Sequence, residues 1–339
     1  MANPAIIGKN LSLGYAKGKA RKEILSGLDF ELFPGQLTCL LGPNGVGKST
    51  LIKAILGQLK PWEGELVLDG KPIGTYTHLD LAKKLSVVLT EPFLPGNMTV
   101  GQLVALGRIP HTGWTGRLES SDLEAVEKAL SATKIQYLKE ERLAEISDGQ
   151  RQKAMIARAL AQDGKIMILD EPTAHLDLVN RFEIMHLLQE IAKNQEKAIL
   201  VVTHDLEIAL ETADEFWLLN CGTPLISGMP EELVISGQIN QLLPGDQFRF
   251  SLERGRIEKR SEAGSWKVEG NPNMVFWVRK ALEKAGISGS GLKIQVEENP
   301  FSVMVNGENR FADLRGLVEF LSSKKENESP AKAPRGREK

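Results

Sequence analysis

A chain of 339 residues can bury a large core and leaves room for a second, smaller domain. A formal net charge of −2 supplies no strong field toward nucleic acid or anionic lipid, and two cysteines, Cys39 in an apolar run and Cys221 beside a turn, argue against a disulfide framework and suit a reducing compartment. No apolar run approaches the roughly 18 to 20 residues of a membrane-crossing helix, and residues 1–10 lack the charged-then-apolar layout of a secretion signal, so the expectation is a soluble or peripheral protein.

In chain order, residues 5–15 and 25–33 alternate apolar and polar positions, as half-buried strands do. Residues 37–41, 85–89, 166–169 and 199–203 are continuously apolar, the pattern of parallel strands covered on both faces. Between residues 100 and 161 the period is helical, with Leu123, Val126, Leu130 and Leu138 among charged neighbours, which predicts a helical insertion into an α/β core. Asn220-Cys221-Gly222 predicts a closing hairpin between 216–219 and 224–226. After a break at Pro244-Gly245 the composition changes. Asn271-Pro272-Asn273 opens a helix with Val275, Val278, Leu282 and Ala285 on one face, strands follow at 292–297 and 301–305, and a helix spans 314–321. Residues 322–339 are charged and nearly free of apolar side chains, which predicts a disordered tail.

The segment after the strand at 37–41, Gly42-Pro43-Asn44-Gly45-Val46-Gly47-Lys48-Ser49-Thr50, fills G-x-x-x-x-G-K-[ST] and leads into a helical stretch. Glycines let successive N–H groups turn onto one anion, Lys48 adds a point charge for β- and γ-phosphates, and the Ser49 hydroxyl suits Mg²⁺. A second strand, 166–169, delivers Asp170 and Glu171. Asp170 can complete a Mg²⁺ shell and Glu171 can polarise water in line with a γ-phosphate, although Glu171-Pro172 could also simply start a turn.

With these motifs in order, residues 5–243 resemble the ATP-binding subunit of ABC transporters. The resemblance implies a P-loop NTPase core with an antiparallel β subdomain and a helical subdomain at about 92–161, in residues 1–243. A small α+β accessory module would occupy 244–321 and the tail 322–339. It implies that Tyr15 stacks on adenine, where the residues alone suggest an ordinary strand tyrosine equally well. Ile146-Ser147-Asp148-Gly149-Gln150 matches the signature peptide, so Ser147, Asp148, Gly149 and Gln150 would touch ATP held by another subunit's Lys48. Asp177 matches the loop that crosses between nucleotide sites, and His204 the switch histidine. Two positions depart from the pattern. Asp148 replaces the usual glycine and could cap the helix or pair with Lys or Arg. The usual glutamine after the strand at 85–89 is replaced by Glu91 or, with a one-residue slip, Thr90; Glu91 could contact Mg²⁺ as the amide does.

The resemblance therefore implies an ATPase with ATP and Mg²⁺ as cofactors, dimerising with itself or a homologue around two ATP–Mg²⁺ units. Too few residues separate Ser49 from Ser147 for the coiled coil of DNA-repair relatives, a single motif set excludes the translation-factor plan, and exporters usually fuse their membrane domain. Residues 98–111 resemble the segment of iron-siderophore, haem and cobalamin importer ATPases that receives a coupling helix, although a plain amphipathic helix also fits. The expected partners are polytopic permease subunits docked on the helical subdomain, and indirectly a substrate-binding protein. No nucleic acid is expected, and the place is the cytoplasmic face of the membrane, peripherally bound. The competing classes are a soluble ABC ATPase switching nucleic acid or ribosome and an exporter with separate subunits. Trp114 could sit at the permease interface or cover the subdomain core; for Trp266 and Trp277 core packing or a homodimer contact is the better reading than a regulatory contact.

Overall fold

The computed structural model describes residues 3–18, 20–89, 97–113, 116–243, 245, 247–252, 254–259, 266–287 and 291–328. The chain divides into two compact units, Met1–Glu258 and Lys259–Lys339.

In the first unit, β1 (Ile6–Lys17) pairs antiparallel with β2 (Ala20–Leu32). Then come β3 (Leu37–Leu41), α1 (Lys48–Ile55), β4 (Glu63–Leu68) and β5 (Lys71–Pro72). β4 pairs with the other edge of β1 and β5 with β4, giving an antiparallel sheet in the order β2-β1-β4-β5. Next are α2 (His78–Lys84), β6 (Leu85–Val88), α3 (Val100–Ala105), α4 (Ser120–Ala132) and α5 (Asp148–Ala161). The alternation of β7 (Ile166–Asp170), α6 (Leu178–Gln195), β8 (Ala198–Val202), α7 (Leu206–Thr212) and β9 (Glu215–Leu218) completes a parallel sheet, to which β10 (Ile226–Gly228) adds an antiparallel edge. Its order is β10-β9-β3-β8-β7-β6.

Period 2 decides how the layers join. Leu37, Cys39 and Leu41 of β3, with Ile199 and Val201 of β8 and Met167 and Leu169 of β7, pack into one core with α5 and α6. Leu40, Ile166, Ile168, Leu200 and Val202 point the other way, onto α1 and the antiparallel sheet. There the Phe30 and Trp217 rings sit 4.6 Å apart between centroids. Burial pushes the Cys39 thiol far above its ordinary range, so it is an inert core side chain.

The helices between β6 and β7 start where side chains cap them. Thr99 and Gln102, Glu119 and Asp122, and Ser147 and Gln150 form reciprocal capping boxes on α3, α4 and α5. Arg108 joins them: its guanidinium donates to Asp122 Oδ1 at 2.8 Å and to the Ala161 carbonyl at 2.8 Å, with both side chains buried. Gly107 permits this closeness, since a Cβ there would lie 2.1 Å from the Arg158 carbonyl oxygen on α5.

Several expectations are corrected. β9 and β10 do pair, but as 218↔226 across a wider loop, because Leu219 still bonds to Leu41 and Pro224 and Leu225 stay outside the strand. The unit boundary lies after Glu258 rather than after Leu243. After α8 (Pro230–Ile235), β11 (Phe248–Ser251) and β12 (Arg256–Lys259) form a small sheet. Phe250 of β11 is buried in the first unit's core, and its N–H donates to Asn240 Oδ1 at 2.8 Å. The last helix runs on to Glu328, past the expected start of the tail, and residues 329–339 lie outside the described residues.

The second unit contains β13 (Lys267–Gly270), α9 (Pro272–Lys284), β14 (Lys293–Glu298), β15 (Phe301–Val305), β16 (Asn309–Phe311) and α10 (Leu314–Glu328). Its four strands order as β13-β14-β15-β16, with only the first pair parallel. Val278, Leu282, Leu317 and Leu321 bury against Ile294, Val296, Val303 and Val305. Ala285, expected on that buried face, caps the end of α9 and is exposed. Trp266 joins the core at 9% exposure, whereas Trp277 is 59% exposed and meets Phe276 edge-on.

Candidate functional site

The loop from β3 to α1 carries the phosphate motif. Gly47 has φ +114°, a left-handed conformation costly for any side chain, and starts α1 by accepting from the N–H groups of Thr50 and Leu51. Gly42 is confined from behind, since a Cβ would lie 2.3 Å from the Leu219 carbonyl oxygen. Lys48 Nζ donates to the carbonyls of Gly42 at 2.5 Å and Pro43 at 3.3 Å, across the mouth of the loop. Burial holds its ammonium below the ordinary lysine range, and the negative charges of Glu171 and Asp170 partly oppose that. Pro43 and Val46 shape the same turn, Val46 by packing into the core.

β7 lies parallel between β6 and β8, so it delivers its carboxyl end to the same edge as β3. A cavity of about 360 Å³ is lined there by Asn44, Lys48, Ser49, Thr50, Asp170 and Glu171, among others. Asp170 is pushed above the ordinary carboxylate range, by burial first and by Glu171 second, while Lys48 pulls it down. Glu171 has φ +49° and donates its N–H to the Val202 carbonyl at 2.9 Å. A left-handed glutamate costs roughly 1 kcal/mol or more and turns the side chain away from the strand axis. Its Oε2 lies 2.8 Å from His204 Nδ1, so the two share a hydrogen bond. Tyr15, 43% exposed, reaches from β1 to Thr50 Oγ1 at 3.4 Å, with Lys53 Nζ 5.7 Å from its ring centroid. The Thr50 hydroxyl and then Lys53 hold its phenol below the ordinary range. A ring so placed beside the loop can stack on a flat base.

Ser147, Asp148, Gly149 and Gln150 are not among the residues lining this cavity. Ser147 Oγ accepts from Gln150 N, and Gln150 Oε1 accepts from Ser147 N, which fixes the turn at the start of α5. Asp148 pairs with Arg151 Nη1 at 2.8 Å, so its charge is turned along the helix and offset. Asp177 caps α6 by accepting from Asn180 N at 2.9 Å. Glu91 and Thr90 lie outside the described residues, as does Trp114. The sequence pattern did not single out Asn180 and Arg181, which touch Gly149, Asp177, Leu176 and Asp205. Their only signal was a polar pair in the first turn after Asp177.

The donors fit a magnesium nucleotide. Among the described residues no three His, Cys, Asp or Glu cluster as a metal cage. The Ser49 hydroxyl and Asp170 carboxylate are the hard oxygen donors that Mg²⁺ takes when phosphate oxygens and water complete its shell.

Comparisons with known proteins give the family and the fold. The ABC transporter family profile matches residues 25–174. The chain is 43% identical to an uncharacterised ABC transporter ATP-binding protein of Methanocaldococcus jannaschii, over 75% of this chain and 86% of that one. It is 36% identical to the ferric enterobactin transport ATP-binding protein of Escherichia coli, over 69% of this chain and 85% of that one. Among solved structures, the ADP conformation of an ABC transporter ATP-binding cassette superposes with a TM-score of 0.62 at 26% identity, covering 70% of this chain and 95% of that one. A bacterial ABC transporter cassette solved as a dimer gives 0.56 at 26% identity, covering 66% and 98%. The chain belongs to the ABC transporter ATP-binding proteins, the ATPases of those transporters.

Proposed function

We propose that this chain is the ATP-hydrolysing subunit of an importer for an iron-siderophore, haem or cobalamin type of substrate, working as a dimer around two ATP–Mg²⁺ units. The observation that carries the chemistry is the meeting of Lys48, Ser49, Asp170 and Glu171 around one cavity, with His204 hydrogen-bonded to Glu171. For import and cargo class the support is the relatives named for ferric enterobactin transport and, at 37% identity, for achromobactin transport.

In this reading Lys48 exchanges its two carbonyl partners for β- and γ-phosphate oxygens, and Tyr15 covers the base. Ser49 and Asp170, with Glu91 as the third candidate, would hold Mg²⁺, which neutralises phosphate charge as the terminal bond breaks. Glu171 accepts the proton of the attacking water, and the His204 ring holds that carboxylate toward the γ-phosphate. Ser147, Gly149 and Gln150 present the N-terminus of α5 to the nucleotide of the partner subunit, and Asp148 stays paired with Arg151. Asp177 lines the crossing between the two sites. Cleavage removes the bridging phosphate, so the two subunits loosen.

No helix among the described residues is long and apolar enough to cross a membrane, so in this reading the pore belongs to separate permease subunits docked on the helices of 100–161 at the cytoplasmic face. Glu171→Gln tests the engine: with ATP and Mg²⁺ it should elute as a stable dimer while hydrolysis falls about a thousandfold or more. Elution as monomer only would overturn the dimer. Solubilised membranes should yield a polytopic partner with the tagged chain; ribosomes without one would overturn the transport reading.

A further inference from the structure

Asn180 and Arg181, in the first turn of α6, sit where three segments of the proposed site meet. The Asn180 side chain is oriented at both ends. Its Nδ2 donates to Asp177 Oδ2 at 2.7 Å, and its Oδ1 faces Gly149 so closely that a Cβ there would lie 2.5 Å away. Arg181 spans the next gap: Nε donates to the Leu176 carbonyl at 2.8 Å and Nη1 to Asp205 Oδ2 at 3.4 Å. Asp205 is itself held, its N–H donating to Thr203 Oγ1 at 3.0 Å while its Oδ1 caps Ile208. The residue before it is His204, bonded to Glu171 at 2.8 Å. A guanidinium bonded to the His204 loop and an amide packed against Gly149 at the start of α5 therefore stand on adjacent residues of one helical turn.

We propose that Asn180 and Arg181 are positioning residues that make the His204 loop of one subunit and the Ser147–Gln150 turn of the same subunit move together. In a dimer, that turn serves the partner's nucleotide. The state of one nucleotide is thereby passed to the other through a single helical turn. This rests on the dimer reading above.

The test compares wild type with Arg181→Ala, Arg181→Lys and Asn180→Ala, measuring hydrolysis against ATP concentration, ATP binding by the dilute monomer, and thermal unfolding. Both alanine variants should keep monomer affinity within about twofold, lose roughly tenfold in kcat, and show a Hill coefficient falling toward one. Lysine can reach Asp205 but cannot also hold the Leu176 carbonyl, so it should recover part of kcat. Wild-type kcat and Hill coefficient in Arg181→Ala would overturn the proposal. So would a joint fall of kcat, monomer affinity and unfolding temperature that lysine does not relieve, which marks plain structural damage. Should Arg181→Ala fail to fold, Asn180→Ala decides alone, because it leaves the Arg181 bonds in place. A wild type without cooperativity, whose Glu171→Gln form also stays monomeric, overturns the dimer reading and this proposal together; wild-type cooperativity with unaffected variants overturns this proposal alone.

Discussion

Asp170 shows what the site costs the fold. Burial raises its carboxyl above the ordinary range, so the folded protein holds that proton more tightly than the unfolded chain does. The favourable contribution is complete below the unfolded pKa, about 4, and is lost as pH rises through the folded value. At neutral pH the ionised group is therefore a net strain. Asp170→Asn should raise the unfolding temperature of the protein without added nucleotide at pH 7 to 8, shrink that gain below about pH 4, and abolish hydrolysis. Scanning fluorimetry across pH checks it; a variant less stable at pH 7 would refute it. Glu171 shows the same preference for chemistry over comfort, since its left-handed backbone is a position glycine or asparagine would fill more cheaply.

Among the elements, the helices between β6 and β7 depend on a charge of opposite behaviour. Asp122 caps α4 by accepting from the Glu119 N–H and also pairs with Arg108, and these hold its carboxyl below the ordinary range. That stabilisation is complete above the unfolded pKa, about 4, and is lost as pH falls through the folded value. The unfolding temperature of wild type should exceed that of Asp122→Asn by a constant margin from pH 6 to 8, and the margin should close in acid. A margin that widens in acid would reject the mechanism. Much of this region was legible in sequence, because Val126, Leu130 and Leu138 fill one core, although Leu123, expected beside them, is exposed. The strands β3, β7 and β8 were equally clear as unbroken apolar runs. β4 and α2 were not. Only the far end of β4 is buried, and α2 buries Leu81 alone, so neither carries a sustained period. The site divides the same way: contiguous motifs such as 42–50 and 170–171 announce themselves. Asn180 and Arg181 matter through neighbours distant in the chain, and nothing local distinguishes them from any exposed helix start.

At the scale of the whole molecule, the unit boundary after Glu258 makes a prediction that a boundary at Leu243 would not. Phe250 is buried against the first core, and burial of a phenylalanine is worth about 3 kcal/mol. A chain ending at 258 should therefore unfold several degrees above one ending at 243 and bind ATP as the full chain does; equal unfolding temperatures would return the boundary to 243. Composition changes at Pro244-Gly245, which is why the sequence pointed there, but a break in composition marks a turn and not the last residue a core needs. Gly149 carries a consequence of another kind. Because a side chain there would have to push the Asn180 amide aside, off its bond to Asp177, the two positions are linked during evolution. A lineage that acquires alanine at 149 must re-aim or shrink the side chain at 180, and one that keeps the asparagine bonded to Asp177 favours glycine at 149.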